Sequence, residues 1–292
     1  MTVTQIIRSH FPKMRIQSPF GFASHTTIGC GGTAELAVYP TAEEFPPLLR
    51  FLEQSGIAFC FLGAGANVLP SDGHFSGVVV RFSALRERAA DGDLLFVGAG
   101  TTGGELCTLA KRRNLSGFEP FTGIPMTVGG GITMNAGVQD RHFSDVVRFV
   151  LAAEHGTLRL FSLQECEFSQ KHSVFQSGIA VLGAVLQGTK SFEEEIDRRT
   201  CYYRLRRAHL PKGRSMGCTF VNPEGIGAGR LIESCGLKGL KIGGAVVSDA
   251  HANFILNEGG TAADVRTLIE TVKRQVKEKT GVELLEEIRY LP

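Results

Sequence analysis

The sequence predicts a mixed fold of helices and strands arranged in two or three lobes. The chain has 292 residues, which is close to the upper limit for one hydrophobic core. Strand-like and helix-like patterns alternate along it. Two glycine-rich segments, 63–67 and 123–137, interrupt these patterns, and the first follows an apolar strand directly. Glycine-rich backbone exposes N–H groups and allows close approach of another molecule, so we expect a bound ligand at these segments.

Bulk composition excludes several classes of protein. Lys and Arg number 31 against 29 Asp and Glu, and no basic run is interleaved with aromatic residues, so nucleic-acid binding is not expected. No window reaches the roughly 20 apolar residues that span a bilayer, and residues 1–16 do not read as a signal peptide. The 7 cysteines are scattered and form no C-x-x-C pair. We therefore expect a soluble cytoplasmic protein with no metal site.

The first lobe is predicted over residues 1–85. It begins with a short helix and a strand at 37–39, followed by a helix from the cap Thr41 to Gln54 whose first turns Pro46 and Pro47 bend or delay. An apolar strand at 58–62 runs into the first glycine-rich segment. A further strand at 78–80 follows a Ser-Asp-Gly turn. This order resembles a βαβ unit.

Two more lobes are predicted, over residues 86–190 and 191–292. The second contains a strand at 94–97, a helix at 104–113, and strands near 147–151 and 179–186. A charged helix within 188–210 leads into the third. The third then alternates a helix at 228–235, strands at 245–248 and 252–256, a long amphipathic helix at 262–279 and a final strand at 283–290. This final strand is a candidate to return to the first two lobes.

Residues 98–103 match the dinucleotide motif G-x-G-x-x-G, after a strand and before a helix. The next segment, however, is not a second apolar strand that ends in an acidic residue. Glu119 lies near the required distance, but within the loop sequence Gly-Phe-Glu-Pro. We therefore interpret the match as a strand-to-helix turn.

Several further motifs occur in a recognisable order. They are Thr27-Ile28-Gly29-Cys30-Gly31-Gly32, Leu62 to Leu69, Gly123-Ile124-Pro125 to Gly137, Gly217-Cys218-Thr219-Phe220-Val221-Asn222-Pro223, Leu231-Ile232-Glu233, Gly236-Leu237-Lys238-Gly239, Val247-Ser248, His251-Ala252-Asn253-Phe254-Ile255, Asn257, and Gly281 to Ile288. From about residue 22 to the C-terminus, the chain resembles the UDP-N-acetylenolpyruvoylglucosamine reductases (MurB) of bacterial peptidoglycan synthesis.

The resemblance implies an α+β fold. It consists of two lobes of the FAD-binding PCMH, or vanillyl-alcohol-oxidase, type and a C-terminal α/β substrate-binding domain. It also implies an FAD-containing, NADPH-dependent oxidoreductase that reduces an enolpyruvyl ether to the lactyl ether of UDP-N-acetylmuramate. Such an enzyme serves cell wall biogenesis, cell shape and cell division. Its partner is a small UDP-sugar, and we expect a monomer.

The residues expected to bind FAD lie in the two glycine-rich segments. Converging N–H donors suit the pyrophosphate, and small residues suit the flat ring. The expected residues are Gly63, Ala64, Gly65, Ala66, Asn67, Val68, Gly123, Ile124, Pro125, Thr127, Val128, Gly129, Gly130, Asn135, Ala136 and Gly137. Met126 stands where the family usually has glycine, and it could crowd the flavin.

Reduction of the enolpyruvyl group requires a proton donor and a group that stabilises developing negative charge. The resemblance assigns the donor to Cys218, where the family commonly has serine. A thiol has a pKa near ~8.5 and stays mostly protonated at neutral pH. The alternative for Cys218 is a buried small residue. Glu287 matches the family's catalytic glutamate, although the sequence alternation does not distinguish it from Glu286.

Lys171 is the third expected catalytic residue. The family shows Tyr-Arg-x-Ser-x-Phe here, and this chain has Gln170-Lys171-His172-Ser173-Val174-Phe175. Lysine keeps the charge but lacks the two-pronged donor that suits a carboxylate. Either Lys171 acts in place of the arginine, or His172 or another arginine does. A solvated loop lysine is the alternative.

Three residues are expected to bind substrate: Asn222, His251 and Arg206. Each has a structural alternative as an ordinary polar group, and the cluster Arg204, Arg206 and Arg207 could instead form a solvated helix face. No tyrosine-bearing loop is inserted after Gln187, so the chain resembles the short form of the family. Two other functions stay open at this point: an FAD-dependent sugar or aldonolactone oxidase, and a catalytically impaired flavin or nucleotide-sugar binder.

Overall fold

Helices and strands alternate along the computed structural model, which describes residues 2–138 and 141–292. Within these residues the helices are α1 (Val3–His10), α2 (Phe45–Gln54), α3 (Gly103–Arg112), α4 (Val128–Thr133), α5 (Glu193–Ala208), α6 (Ala228–Ser234) and α7 (Ala262–Thr280). The strands are β1 (Arg15–Gln17), β2 (Phe20–Gly21), β3 (Thr33–Tyr39), β4 (Phe59–Phe61), β5 (Val68–Pro70), β6 (His74–Val80), β7 (Arg88–Asp91), β8 (Leu94–Gly98), β9 (Leu115–Ser116), β10 (Gly137–Val138), β11 (Arg141–His142), β12 (Val147–Glu154), β13 (Thr157–Ser162), β14 (Ala180–Gln187), β15 (Thr189–Lys190), β16 (Ser215–Cys218), β17 (Lys241–Ile242), β18 (Ala245–Val247), β19 (Phe254–Asn257) and β20 (Arg289–Leu291).

The chain divides into two compact units. Unit 1 contains the residues up to Ser18, Leu36–Ala64 and Gly77–Ala208, and unit 2 contains Pro19–Glu35, Gly65–Ser76 and His209–Pro292. The last boundary between the units falls at 208/209. Helix α5 packs against the turn at Glu119–Phe121, which is why it belongs to unit 1. Two short pieces of the predicted first lobe belong to unit 2.

Unit 1 is built around two sheets and one apolar core. One sheet has the order β1-β3-β6-β4, and the other is antiparallel with the order β13-β12-β14-β8-β7. Side chains from these sheets and from α2, α3 and α4 form a single buried cluster that includes Leu48, Leu106 and Ile132. Burial on this scale supplies most of the stabilising free energy of the unit.

The predicted turn at 98–103 is confirmed. Gly98 ends β8, and Thr102 accepts the Glu105 N–H at 3.3 Å, while the Glu105 carboxylate accepts the Thr102 N–H at 2.9 Å, so the two residues form a capping box for α3. A Cβ at Gly100 would lie 2.0 Å from the carbonyl oxygen of Phe82. The glycines therefore serve close packing of a strand-to-helix turn.

Unit 2 carries an antiparallel sheet of order β16-β19-β18-β17. Helix α7 packs on β17 and β18, with α6 beside it. The apolar residues of α7 repeat at helical spacing, and the buried ones include Val265, Leu268, Ile269 and Val272. The predicted amphipathic helix at 262–279 is therefore confirmed.

The final strand differs from its prediction. Only β20 is regular, and it pairs in parallel with β5, a segment of the predicted first lobe. Residues 283–288 are irregular because their backbone bonds to a different segment: Val221 N–H donates to the Leu285 carbonyl, and Glu287 N–H donates to the Thr219 carbonyl.

Helix α2 also differs from its prediction at one end. It begins at Phe45, with Pro46 and Pro47 in its first turn, and not directly after Thr41.

Candidate active site

The two glycine-rich segments meet within unit 1. A Cβ at Gly63 would lie 2.8 Å from Thr127 Oγ1 and 3.9 Å from Gly130 Cα. Gly130 is exposed, and Thr127 Oγ1 accepts its N–H at 3.3 Å, which caps helix α4. The Thr127 hydroxyl therefore occupies the space beside Gly63, and the open backbone is that of the exposed Gly130, where no side chain projects. Such bare backbone suits the close approach of a planar group such as a flavin.

Glycine serves a different purpose at three other positions of the second segment. A Cβ at Gly129 would lie 2.9 Å from the Cβ of Ala99, and one at Gly131 would lie 2.4 Å from the Phe143 ring. At Gly137 it would lie 2.0 Å from the Arg141 carbonyl oxygen. The missing side chains of Gly129 and Gly137 are thus explained by internal packing and not by room for a ligand.

Met126 points into the core of unit 1. Its side chain is 8% exposed and belongs to the main apolar cluster. Its Cε would lie 3.2 Å from a Cβ at Gly103, and its Sδ 3.1 Å from one at Gly131. The expected crowding of the flavin by this methionine therefore has no support in its packing.

Lys171 lies in a tight turn that is anchored to the second glycine-rich segment. Ser169 and His172 exchange two backbone hydrogen bonds, at 3.1 and 3.2 Å, and Lys171 has a left-handed φ of 57° between them. The Asn135 side-chain amide donates to the Ser169 carbonyl at 3.0 Å. Since Asn135 is itself one of the expected flavin-binding residues, the turn is fixed with respect to that segment.

The residues that follow Lys171 complete this anchor. Ser173 is fully buried, and its hydroxyl donates to the Thr133 carbonyl at the end of α4, at 2.7 Å. The Gln176 amide donates to the same carbonyl at 3.2 Å and to the Lys171 carbonyl at 2.8 Å. Phe175 packs in the core. The Lys-x-Ser-x-Phe pattern therefore has a structural explanation: its serine and phenylalanine hold the turn.

The rest of the first glycine-rich segment belongs to unit 2. Gly65 has a φ of 71°, and a Cβ there would lie 2.3 Å from the His25 carbonyl oxygen, so only glycine fits. Its own carbonyl accepts the Thr27 N–H at 2.9 Å. Val68 begins β5 and pairs with Arg289.

Cys218 and Glu287 are brought together in unit 2, although 68 residues separate them along the chain. The Glu287 N–H donates at 2.8 Å to the carbonyl of Thr219, the residue after Cys218. A β-bridge joins Phe220 to Glu286. Both side chains are half-buried. The structure therefore places the thiol and the carboxyl on adjacent backbone segments.

Glu286 and Glu287 have distinct environments. The Glu286 carboxylate accepts from Lys273 Nζ at 2.6 Å, and its side chain is 18% exposed. Burial acts to raise the pKa of Glu286, but hydrogen bonds from Lys273 and Tyr290 outweigh it and lower the pKa below its usual value. Glu286 is thus a structural acid tied to α7. Glu287 is the other acid of the pair, and its main-chain carbonyl accepts the Asn67 amide at 3.0 Å.

Two of the expected substrate residues make structural contacts in unit 2. Asn222 Oδ1 accepts the Ala228 N–H at 2.9 Å, at the start of α6. His251 Nδ1 accepts the Asn253 N–H at 3.3 Å, which places the proton of the neutral ring on Nε2. Burial, and then the charge of Lys238, lowers the pKa of His251. The half-buried ring therefore stays neutral at pH 7.

The arginines of α5 differ in their surroundings. Arg206 is exposed, donates to the Tyr202 hydroxyl at 2.8 Å and covers the Tyr202 ring. Arg207 is half-buried, and its Nε would lie 3.5 Å from a Cβ at Gly123. The arginine beside the glycine-rich segment is thus Arg207, which the sequence did not single out within its cluster. Helical spacing from the buried Ile196 places Arg207, and not Arg206, on the buried face of α5, and this spacing is the signal in the sequence that distinguishes the two arginines.

None of the 7 cysteines, all of which lie within the described residues, forms a disulfide. Burial raises the pKa of Cys60 and Cys166 to about 12 and of Cys30 and Cys107 to about 11. These four thiols are therefore poor nucleophiles at neutral pH.

Asn253 is a further candidate, which the sequence did not single out because its only signal was membership of the His-Ala-Asn-Phe motif. Its side-chain amide bonds to both backbone polar groups of Phe220.

Two family models match the chain. Residues 34–157 match the FAD binding domain, and residues 209–291 match the C-terminal domain of UDP-N-acetylenolpyruvoylglucosamine reductase. A UDP-N-acetylenolpyruvoylglucosamine reductase of Caldanaerobacter subterraneus subsp. tengcongensis is 40% identical over 273 residues, which are 91% of this chain and 90% of the relative. The chain belongs to the UDP-N-acetylenolpyruvoylglucosamine reductase (MurB) family.

Solved structures agree with this membership. The MurB crystal structure from Thermus caldophilus superposes with a TM-score of 0.83 and 33% identity, covering 96% of this chain and all of that one. A solvent-stable cholesterol oxidase shares the fold alone, with a TM-score of 0.50 and 16% identity over 61% of this chain and 38% of that chain. The predicted α+β fold of the FAD-binding PCMH type and the predicted FAD cofactor are therefore confirmed for this MurB chain.

The described residues contain neither a membrane-spanning helix nor a cluster of metal-binding side chains. Among the described residues of this MurB chain, no helix has the length and apolar character needed to cross a bilayer. Over residues 2–138 and 141–292, no group of three or more His, Cys, Asp or Glu side chains is arranged to hold a metal ion.

Proposed function

We propose that this protein uses NADPH and FAD to reduce UDP-N-acetylglucosamine enolpyruvate to UDP-N-acetylmuramate, a precursor of peptidoglycan. The observation that supports the proposal is the hydrogen bond between Glu287 and Thr219, because it joins the backbone of the expected acid to the residue that follows the expected proton donor. The family membership of the whole chain supports the same reaction. The alternative of a sugar oxidase does not require this pair.

FAD would be held by the expected residues of the two glycine-rich segments, where the exposed Gly130 leaves the backbone open. The bound cofactor would supply hydride-transfer chemistry between NADPH and the enolpyruvyl group. The chain's own task is then to stabilise the negative charge that develops beside the substrate carboxylate and to deliver one proton to carbon.

Cys218 is proposed as the proton donor, with its Sγ–H supplying the proton. Glu287, in its protonated form, would donate a hydrogen bond to the enolate-like carboxylate; as a carboxylate it would repel it. The backbone bonds that link their segments limit how far the two side chains separate. A fixed separation favours catalysis because a pre-positioned acid needs little reorganisation during the reaction.

Lys171 is proposed to supply positive charge to the substrate carboxylate, in the role that the family gives to arginine. Its anchored turn supports this role, because Asn135, Ser173 and Gln176 fix the backbone on both sides of it. Asn222, His251 and Arg206 are proposed to contact the UDP-sugar. The neutral ring of His251 would act there as a hydrogen-bond donor through Nε2.

Further properties are proposed with the reaction. The protein acts in the cytoplasm as a monomer, on a small molecule, without a nucleic-acid or membrane partner. Residues 1–85 and 86–190 form the flavin-binding lobes, and 191–292 supply the substrate-binding domain. The family membership of the chain and its near-neutral charge balance support these proposals.

The test is to mix the purified protein with NADPH and UDP-N-acetylglucosamine enolpyruvate and to follow absorbance at the nicotinamide and flavin bands. We expect a yellow protein that consumes NADPH in stoichiometric amounts only when the sugar nucleotide is present. Oxygen consumption with a free sugar would support the oxidase instead. A colourless protein that takes up no FAD would contradict both.

A further inference from the structure

Asn253 makes an unusual set of contacts in unit 2. Its side chain is 2% exposed. Oδ1 accepts the Phe220 N–H at 2.9 Å, and Nδ2 donates to the Phe220 carbonyl at 2.8 Å. Its own backbone carbonyl accepts the Thr219 N–H at 2.8 Å. One asparagine therefore satisfies three backbone groups of residues 219 and 220, immediately after Cys218.

The local backbone explains why such a clamp is needed. Strand β16 pairs with β19 at Ser215 and Cys218, but the register shifts between these two residues. Gly217 lies in the shifted stretch with a left-handed φ of 78°. Because β16 ends at Cys218, regular pairing with β19 does not continue to residues 219–220. The Asn253 amide takes the place of a strand partner there.

The opposite edge of the same backbone is also held. The Thr219 carbonyl accepts the Glu287 N–H at 2.8 Å. On the far side of Glu287, Asn67 Nδ2 donates to the Glu287 carbonyl at 3.0 Å, and the Asn67 carbonyl accepts the Arg289 N–H at 3.0 Å. Residues 219–220 thus lie between Asn253 and Glu287, and Glu287 lies between Thr219 and Asn67.

We propose that Asn253 is a positioning residue for the reduction of substrate: it fixes the backbone that carries Cys218 and thereby the separation of the Cys218 thiol from the Glu287 carboxyl. This inference rests on the proposed function. Asn253 does not itself act on the reacting atoms. It acts through residues 219 and 220: its side-chain amide holds both backbone polar groups of Phe220, while its main-chain carbonyl and the Glu287 N–H hold those of Thr219.

The isosteric variant Asn253→Asp provides a sharp test. Aspartate keeps an acceptor for the Phe220 N–H but loses the donor to the Phe220 carbonyl, and a buried carboxylate would oppose that carbonyl directly. Asn253→Ser removes both side-chain bonds without adding charge. We expect reoxidation of the reduced flavin by substrate to slow on the order of 10-fold to 100-fold, as for a small misplacement of reacting groups. Reduction of the flavin by NADPH should change less than about 2-fold, since the positioning acts on the later step alone.

Asn257 offers a matched control at the end of β19, the strand that begins directly after Asn253. It is 6% exposed, donates to the Ile28 carbonyl and accepts the N–H groups of Gly259 and Gly260, so it makes three side-chain bonds against the two of Asn253, but none to residues 218–220. Asn257→Ser should lower thermal stability by a similar amount and leave reoxidation at the wild-type rate. If both serine variants slow reoxidation equally, the effect is general destabilisation and the proposal is wrong.

A double-mutant cycle separates positioning from a merely structural role. If Asn253 acts through Cys218, Asn253→Ser should have little further effect on reoxidation in a Cys218→Ala background. Multiplicative losses would contradict the proposal. Amide hydrogen exchange of the peptide that contains residues 218–222 gives a readout independent of turnover: we expect faster exchange in Asn253→Ser and not in Asn257→Ser.

These readouts also separate this inference from the proposed function. A wild-type protein whose reduced flavin is not reoxidised by the UDP-sugar contradicts the proposed function. A wild-type protein that turns over, with Asn253→Ser and Asn253→Asp reoxidising at the wild-type rate and unchanged exchange at 218–222, overturns the role of Asn253 alone.

Discussion

The side-chain amide of Asn135 donates to the carbonyl oxygen of Ser169 at 3.0 Å, across 34 residues of sequence. Its Oδ1 accepts the Ser144 N–H at 3.0 Å. Asn135 has a left-handed φ of 41° and is 4% exposed. A single buried amide therefore ties the glycine-rich segment, where FAD is proposed to bind, to the turn that contains Lys171.

Replacing Asn135 by glycine should weaken this connection without straining the backbone, because glycine accepts the positive φ. We expect the free energy of unfolding to fall by about 1–3 kcal/mol, since two part-buried hydrogen bonds are lost. Asn114→Gly is the matched control: Asn114 also has a positive φ, of 54°, but is exposed. Urea unfolding of the control should differ by less than about 0.5 kcal/mol. Equal losses in the two variants would refute the assigned role.

Cys218 should be replaceable by another proton donor but not by an apolar residue. Cys218→Ser is expected to keep substantial turnover, whereas Cys218→Ala should slow flavin reoxidation by substrate on the order of 10²-fold or more, as for loss of a general acid. Stopped-flow measurement of the two half-reactions checks this, and flavin reduction by NADPH should survive both changes. Wild-type reoxidation in the alanine variant would exclude Cys218 as the acid.

Lys171 should tolerate arginine and not alanine. Lys171→Arg is expected to give equal or higher rates, because a guanidinium offers a two-pronged donor to a carboxylate. Lys171→Ala should lower reoxidation by about 10²-fold, the typical loss for one charge-stabilising donor. His172→Ala tests the neighbouring alternative and, because His172 is exposed, should leave the rate unchanged. Full activity in Lys171→Ala would remove this residue from the site.

Glu286 and Glu287 should separate into a structural acid and a catalytic one. Because the pKa of Glu286 is lowered below 4.5 in the folded state, its stabilising contribution is present above that pH and is lost as the pH falls through the folded pKa. Glu286→Gln should therefore flatten the decline in unfolding free energy below pH 4.5 and spare flavin reoxidation. Glu287→Ala removes the proposed hydrogen-bond donor to the substrate carboxylate and should slow flavin reoxidation. Denaturant titrations at pH 3 to 7, with half-reaction rates, distinguish the two; a loss of reoxidation in both variants would contradict the division.

Met126→Ala should destabilise unit 1 without improving cofactor binding. The side chain is 8% exposed within the apolar core, so truncation leaves a cavity and is expected to lower the free energy of unfolding by about 2–5 kcal/mol. The dissociation constant for FAD, measured on the apoprotein, should not decrease. Tighter FAD binding in Met126→Ala would show that the methionine does crowd the flavin.

Local sequence patterns predicted the long elements of the fold well. Helices α3 and α7 and strands β8, β12 and β14 lie where hydrophobic spacing and caps indicated, because these elements bury one regular face. Strands β13 and β16 were missed. The outward residues of β13, Leu158 and Leu160, are themselves apolar, so the strand has no clear alternation of buried and exposed residues. Strand β16 contains a register shift, which breaks its period of two.

The sequence alone determined the family, the cofactor and the chemical identity of the candidate residues, because those depend on which side chains occur and in which order. Tertiary structure alone decided what each residue does for its neighbours. It showed that Met126 faces the core, that Glu286 pairs with Lys273, and that Asn253 holds the backbone of Phe220. The physical reason is that a hydrogen bond or a van der Waals contact requires two atoms a few ångströms apart. Residues such as Asn67 and Glu287, which lie 220 positions apart in sequence, reach that distance only when the chain has folded.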